Sequence, residues 1–146
     1  MKGIKMSDCR FYVNEKERTV VCVIPDTDHM VLDYIWENFQ WHDINMYDAL
    51  EKRYALLMPR SFMGKAVCAA EDEWNEETGR LIAFSRAKDK CYKSFFRRAN
   101  SFVQQLDKRL GDMIDSFNDF GLKLEDKREG MQQHIEELIT PTTKAE

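Results

Sequence analysis

Residues Phe62–Lys88, FMGKAVCAAEDEWNEETGRLIAFSRAK, decide the fold of this 146-residue chain. Phe62–Ala69 is rich in small and apolar residues, and Val67 and Cys68 suit a pleated surface, so the segment predicts a half-buried strand. The acidic residues Glu71–Glu73 end that strand because they offer no apolar face.

A helix is expected to begin near Asn75. The Asn75 side chain can accept a hydrogen bond from the first turn, and Glu76 and Glu77 place negative charge at the positive end of the helix dipole. Gly79 costs such a helix roughly 1 kcal/mol relative to alanine, so it needs a reason. Close packing is the common reason, and approach of a ligand is the other.

The residues before this stretch predict a small antiparallel sheet. Cys9–Val13 and Thr19–Ile24 are β-type runs joined by a charged connection, as in a hairpin. Tyr54–Met58, ended by Pro59, predicts a third strand that pairs with Phe62–Ala69.

One short helix is expected to cover this sheet. Asp26 and Thr27 offer capping side chains, and apolar residues recur behind them at helical spacing from Val31 to Phe39. The predicted fold class is therefore α+β, a β-β-α-β-β sheet followed by a long C-terminal helix.

The C-terminal half predicts that long helix. Apolar residues recur there at gaps of three or four, at Tyr92, Phe95, Ala99, Phe102, Leu106, Leu110, Met113, Phe117, Phe120 and Leu124. We expect one domain, 1–146, with the sheet and its covering helix in 1–70 and the long helix in 75–139, interrupted near Gly121 and Gly130. A small sheet cannot cover so long a stripe, so a homo-oligomer is expected.

Charge is unevenly distributed along the chain. The net charge is −4, which argues against a nucleic-acid partner because such binding depends on a basic surface. The segment from Pro25 to Glu51 nevertheless holds seven acidic residues and no lysine or arginine, whereas Arg86 to Arg98 holds six basic residues and one aspartate. A solvated face is the common meaning of such runs, and an anionic ligand or self-association is the other.

The cysteines and histidines show no metal-site spacing. The four cysteines form no CxxC pair, and the three histidines lie far from them in sequence, so no metal site is expected. Cys9, Cys22 and Cys68 fall in predicted strands and are interpreted as small buried hydrophobic residues in a reducing compartment. No segment has the length of a membrane span, so the expected location is the cytoplasm.

The sequence gives no support for catalysis. It lacks a nucleophile elbow, a phosphate loop and an HExxH motif. His42 with Asp43, or Asp72 with Glu76, can be drawn as acid and base, but such pairs are common in an acidic chain. We therefore expect a protein that is not an enzyme and needs no cofactor.

The segment Tyr92–Asn100 is the candidate binding site. Helical spacing brings aromatic, guanidinium and amide groups together there. An aromatic ring can stack on a nucleotide base, an arginine can bind phosphate, and an amide can contact base edges or ribose hydroxyls. The candidate ligand-binding residues are Tyr92, Phe95, Phe96, Arg97, Arg98, Asn100 and Arg109. The competing interpretation places both phenylalanines in the core and both arginines in solvent.

Residues 64–88 also carry a family resemblance. Gly64-x-Ala66-x-Cys68, an acidic pair, Gly79 and Ala83-x-x-Arg86-Ala87 resemble a signature of small phage proteins, the first-described type of the Thoeris anti-defence family. Members of that family sequester cyclic ADP-ribose signals made by TIR-domain immune proteins. The resemblance implies a non-enzymatic antiparallel sheet with a long C-terminal helix, assembled from dimers into hexamers. It implies glycocyclic ADP-ribose as ligand, with separate pockets for cyclic oligonucleotides as a further implication.

Two other functions remain open. A protein-binding inhibitor would press the acidic Pro25–Glu51 segment against a basic host factor, with Asp33, Glu37 and Asp43 as its charges. An RNA-binding domain is a weaker alternative that rests on the order of sheet and helix and is opposed by the net acidity.

Overall fold

The computed structural model describes residues 3–38 and 56–140. The elements in chain order are a short 3-10 turn (Met6–Asp8), β1 (Arg10–Asn14), β2 (Thr19–Pro25), α1 (Met30–Asn38), β3 (Ser61–Val67) and α2 (Glu76–Ile139). The chain divides into two compact units, Met1–Phe102 and Val103–Glu146.

The first unit contains a three-stranded antiparallel sheet in the order β1-β2-β3. Cys22 of β2 lies opposite Phe11 of β1 and Gly64 of β3, which fixes the register on both sides. Because side chains alternate along a strand, Val20, Cys22 and Ile24 share one face, and all three are buried. The predicted hairpin of the first two strands and the strand after Arg60 are thus confirmed.

The predicted strand Tyr54–Met58 is wrong over its described part, so the predicted β-β-α-β-β order does not hold. The described residues form three strands, with the short helix α1 between β2 and β3. Leu56 is helical, and Leu57 and Met58 lie in no strand. The Met58 amide donates to the carbonyl of Asp28 at 3.0 Å, and the carbonyl of Leu57 accepts from Arg98. Backbone groups with these partners do not join a sheet ladder, and a short apolar run does not by itself distinguish a strand from other buried segments.

The two helix starts differ in how they are capped. The Asn75 side-chain oxygen accepts from the Thr78 amide at 3.0 Å, so α2 begins with the predicted cap. Thr27 was expected to cap α1, but its hydroxyl donates to the carbonyl of Pro59 at 2.6 Å instead. Thr27 therefore joins the approach to α1 to the approach to β3.

Helix α2 passes through Gly121 and Gly130 without a break, so the predicted interruptions at these glycines are wrong. A glycine in a helix costs roughly 1 kcal/mol, which a long helix with good helix formers on both sides tolerates. A Cβ atom added at either glycine would meet no other described group within 4 Å.

The core of the first unit lies between the sheet and the start of α2. Ala83 and Ala87 are fully buried, and Gly64 of β3 lies directly under them. Farther along α2, Cys91, Phe95, Ala99 and Phe102 continue the buried stripe, together with Val31 and Ile35 of α1. Small residues at the first crossing let helix and strand backbones approach each other closely.

The second unit contains the remainder of α2, residues 103–139. Its large apolar side chains are exposed in the single chain, including Met113 at 68%, Phe117 at 71% and Phe120 at 59%. No helix in the described ranges carries an apolar stretch long enough to cross a membrane.

Candidate functional site

The segment predicted as the binding site lies on α2 in the first unit, and its residues separate onto two sides. Phe95 is 7% exposed, and its ring meets the ring of Tyr34 edge to face, with centroids 5.5 Å apart. Phe95 therefore fastens α1 to α2. It is a core residue and presents no surface for stacking on a ligand.

Arg98 also points inward. Its Nε donates to the carbonyl of Leu57 at 3.0 Å, and its Nη1 donates to the hydroxyl and carbonyl oxygens of Ser94. These bonds engage two sides of the guanidinium with protein groups. Arg98 therefore holds the chain at Leu57 against α2, and its prediction as a phosphate ligand is not supported by this geometry.

Phe96, Arg97 and Asn100 point outward. Phe96 is 69% exposed and touches the Phe95 ring edge to face, with centroids 6.0 Å apart. Arg97 is exposed and makes no hydrogen bond or ion pair with the residues that the structure describes. With Lys93 they occupy positions i, i+3, i+4 and i+7 of the helix, so they share one side, here called the basic-aromatic face.

Two cations that precede this face on α2, Arg86 and Lys90, bind the sheet. Arg86 donates to the carbonyl of Lys65 at 2.7 Å, and Lys90 donates to the carbonyl of Met63 at 2.9 Å. Alternate carbonyls of an edge strand point to the same side, so these two side chains cover the outer edge of β3. Lys93 forms an ion pair with Asp89 at 2.8 Å, which leaves Arg97 as the open guanidinium of the face.

The other two predicted ligand residues are Tyr92, one helical turn before Phe96, and Arg109. Tyr92 is half-buried, with the Lys88 ammonium 5.5 Å from its ring centroid. Arg109 belongs to the second unit. Three of the seven predicted residues, Phe96, Arg97 and Asn100, are thus exposed on the basic-aromatic face.

A pocket of about 350 Å³ that sequence reasoning missed opens at the N-terminal end of α2. Val20, Ala66 and Ile82 are among its apolar lining, and Asp72, Glu73 and the half-buried Trp74 contribute its polar and aromatic lining. The sequence feature that could have indicated this pocket is Trp74, which lies among acidic residues five positions before the helical Gly79. Two carboxylates disfavour an anionic ligand in this pocket.

Arg18 anchors the loop beside that pocket. Its guanidinium donates to the carbonyls of Ala70, at 3.1 Å, and Asp72, and contacts the Cys68 sulfur at 3.1 Å. Arg18 lies in the left-handed backbone region, at φ 52°. The acidic loop is thus held against the hairpin turn of β1 and β2.

A second pocket, of about 360 Å³, has an acidic rim. Asp8, Asp26, Asp33 and Glu37 are among its lining residues, and Met30 and Tyr34 supply apolar surface. Part of the acidic segment noted in the sequence therefore converges in space. Asp43 and the rest of that segment after residue 38 lie outside the described residues.

The cysteines divide into buried and half-buried pairs. Cys22 and Cys91 are fully buried, whereas Cys9 and Cys68 are half-buried. Burial raises the pKa of the Cys22 thiol to about 12 and that of Cys91 to about 11, and burial also raises the pKa of Cys9. A thiol that stays protonated is a poor nucleophile, so Cys22 and Cys91 act as packing groups.

Over the described ranges, no cluster of three or more histidine, cysteine or acidic side chains could hold a metal ion. Comparison with protein-family models, with curated proteins and with solved structures gave no match to this chain. The family resemblance of residues 64–88 therefore stays a prediction. The structure does assign those residues a role, because Gly64, Gly79, Ala83 and Ala87 all lie where the sheet and α2 pack together, with Gly64 on β3 and Gly79 against Val20 of β2.

Proposed function

We propose that the protein binds a cyclic nucleotide signal of the ADP-ribose type and sequesters it without cleaving it. The basic-aromatic face is the proposed binding surface, and the observation that carries the proposal is the exposed Phe96 ring beside the open guanidinium of Arg97. Phenylalanine rings are usually buried, so an exposed one is a candidate contact for a ligand. The guanidinium of an arginine can donate two parallel hydrogen bonds to phosphate oxygens.

Each group has a distinct role in this proposal. Phe96 stacks on the adenine, Arg97 donates to a phosphate, and Asn100 contacts a base edge or a ribose hydroxyl. The Lys93 ammonium adds positive charge on the same side of the helix. This set favours a ligand that has both a π surface and a phosphate, such as glycocyclic ADP-ribose or a cyclic oligonucleotide.

A single helix face is convex and leaves most of a bound ligand in solvent. Sequestration requires a dissociation constant well below the signal concentration, around nanomolar, which corresponds to about −12 kcal/mol. We therefore propose that a second copy of the chain closes over the basic-aromatic face, so that the cytoplasmic binding unit is a homo-oligomer, dimer or hexamer. Burial between copies would exclude water and strengthen the contact of phosphate with Arg97.

Titration calorimetry with glycocyclic ADP-ribose, cyclic ADP-ribose and linear ADP-ribose tests the proposal. We expect nanomolar binding of a cyclic form, and loss of binding in Phe96→Ala and Arg97→Gln. Tyr12→Ala and Arg10→Gln are matched controls, since both residues are exposed on β1 and far from the face in sequence. Binding no tighter than micromolar for all three compounds would exclude sequestration.

The fate of the ligand separates sequestration from catalysis. After incubation, the protein is heat-denatured and the released compound is analysed by mass spectrometry. Full recovery of unchanged ligand is expected for a binding protein. A product of altered mass, absent with Arg97→Gln, would show turnover instead.

The acidic pocket supports a second candidate, inhibition of a host defence factor by binding its basic surface. Asp8, Asp26, Asp33 and Glu37 place several carboxylates around one opening, which complements lysine and arginine side chains. The test is a pulldown from host lysate with the chain and with Asp33→Asn/Glu37→Gln. A specific partner that is lost with the double variant would favour this function over sequestration.

A further inference from the structure

The second unit of the chain carries a heptad face that the single chain leaves open. Between Val103 and His134, every residue reached by alternating steps of three and four is apolar, except Lys127 and His134. Steps of three and four keep residues on one side of a helix and average 3.5, the repeat of a coiled coil. The first exposed layers come directly after Phe102, the last buried residue of the first unit.

We infer that this face, Val103–His134, pairs with the same face of a second copy in an antiparallel coiled coil centred between Asn118 and Asp119. The inference does not depend on the proposed ligand. It assigns a partner, an orientation and a register to a surface of which Met113, Phe117 and Phe120 are each more than half exposed.

The amount of apolar surface is sufficient for a stable dimer. A buried phenylalanine covers roughly 150–250 Å², and Phe117 and Phe120 stand at the centre of the face with aliphatic layers on both sides. Eight of the ten layers from Val103 to His134 are apolar. Such a face reaches about 800 Å² per partner, the area that specific protein interfaces bury.

The two polar layers argue against a parallel pair. In a parallel coiled coil each layer faces its own copy, so Lys127 would face Lys127 and His134 would face His134. Lys123 would also flank Arg128 of the second copy, because residues five apart meet across a parallel pair. The lysine and arginine charges in these positions repel each other, and the Lys127 charges would be partly desolvated.

The antiparallel pair removes these contacts. With the centre between Asn118 and Asp119, Lys127 lies over Leu110 of the second copy, where its stem packs and its ammonium reaches solvent. His134 lies beside Val103 of the second copy. Each polar layer then meets an aliphatic side chain and no longer meets itself.

The flanking positions agree with this register. Asp107 comes beside Arg128 of the second copy, and by symmetry this contact of opposite charges occurs twice. Arg128 already pairs with Glu125 of its own helix at 2.9 Å, and its five donors allow both carboxylates to be bound. Ile114 comes beside Gly121 of the second copy, and Gly121 has open space where a side chain would stand.

A shift of one heptad in either direction is less favourable. Moving the centre toward the N-terminus leaves Met131 without a partner layer, whereas moving it toward the C-terminus leaves Val103 unpaired and sets Lys127 against Phe117. The register centred between Asn118 and Asp119 keeps all eight apolar layers covered. It also places four phenylalanine rings, two from each copy, at the middle of the interface, where binding energy concentrates.

Sedimentation equilibrium of the full chain tests the association. We expect a dimer or a multiple of it, and Phe117→Asp is expected to raise the dissociation constant by about 100-fold or more. Leu122→Asp is the matched control, because Leu122 is 67% exposed on the opposite side of the same helix turn, and it is expected to change the constant by about threefold at most. A chain that is monomeric at about 100 µM overturns the inference.

Cysteine cross-linking in the full chain tests orientation and register, with the half-buried Cys9 and Cys68 changed to serine. The double variant Asp107→Cys/Arg128→Cys is expected to give a disulfide-linked dimer on mild oxidation, and each single variant is expected to give none. Met113→Cys is expected to stay unlinked, because it faces Leu124 of the second copy. A self-linked Met113→Cys overturns the antiparallel orientation, and a dimer in which the double variant does not link overturns the register.

Discussion

Gly64 of β3 lies against the backbone of Ala83 in α2, so closely that a Cβ atom on residue 64 would stand 2.0 Å from the Ala83 carbonyl oxygen and 2.4 Å from the Ala87 amide nitrogen. Cβ atoms do not approach other atoms so closely. The crossing of strand and helix therefore has no room for any side chain at residue 64.

Gly64→Ala is expected to destabilise the protein by about 3 kcal/mol, because the obstructing atoms are backbone and cannot move without shifting α2. Urea unfolding followed by circular dichroism measures the change. Gly111→Ala is the matched control, since a Cβ atom at Gly111 would meet no other group within 4 Å, and it should stabilise the helix by up to about 1 kcal/mol. Equal stability of Gly64→Ala and the parent chain would contradict the close crossing.

Gly79→Ala tests the second close approach of α2 to the sheet. A Cβ at residue 79 would stand 2.8 Å from a methyl group of Val20. The obstacle is a side chain, so we expect a smaller loss than for Gly64→Ala, about 1 kcal/mol after the gain in helix propensity. Unfolding of Gly79→Ala in a Val20→Ala background, where space is available, should show no loss relative to Val20→Ala alone.

Neighbouring arginines are expected to respond differently to the same substitution. Arg98→Gln should cost about 1–3 kcal/mol, since the Leu57 carbonyl loses its charged donor. Arg97→Gln should change stability by less than about 0.5 kcal/mol because its side chain is exposed. Chemical unfolding of the two variants measures both values. A large loss of stability in Arg97→Gln would show that the Arg97 side chain makes a stabilising contact and is not exposed as described.

Arg18→Lys should loosen the acidic loop although it keeps the charge. A lysine cannot donate at once to the carbonyls of Ala70 and Asp72, so we expect a loss of about 2 kcal/mol and faster amide exchange over residues 68–75. Hydrogen exchange with mass spectrometry measures the second effect. Arg10→Lys on β1 serves as the control, and unchanged exchange in Arg18→Lys would contradict the anchoring role.

Stability is expected to fall in alkaline solution because of the buried thiols. An unfolded cysteine releases its proton near pH 9, whereas the folded pKa is about 11 for Cys91 and about 12 for Cys22. Above pH 9 the unfolded state therefore binds fewer protons than the folded state, and each thiol lowers the free energy of unfolding by about 1.4 kcal/mol per pH unit up to its folded pKa.

Urea unfolding at several pH values between 8 and 10.5 measures this slope. Cys91→Ala should make the fall in unfolding free energy with pH less steep, because one of the two buried thiols no longer contributes. The cavity left by this substitution lowers stability by a similar amount at every pH and so does not change the slope. Other groups that titrate in this range contribute equally to both proteins. An unchanged slope in Cys91→Ala would show that its thiol ionises normally in the folded state.

Local physical chemistry determined much of this protein from its sequence alone. The strand, acidic turn and capped helix of residues 61–88 depend on residues next to each other in the chain, and the Asn75 cap was predicted with its function. The β1–β2 hairpin likewise follows from two β-type runs and their short connection. Gly79 was expected to pack closely, and Val20 is the residue against which it packs.

Only the tertiary structure decided which of two adjacent phenylalanines is buried. Phe95 and Phe96 have the same chemistry, and the choice depends on where Tyr34 of α1 lies. The same holds for Leu57, whose carbonyl accepts a hydrogen bond from Arg98. Because of this contact, Leu57 does not belong to the predicted strand and Arg98 does not face a ligand. Such contacts join residues some 40 or more positions apart, and helical periodicity fixes spacing along one element but not which neighbour it meets.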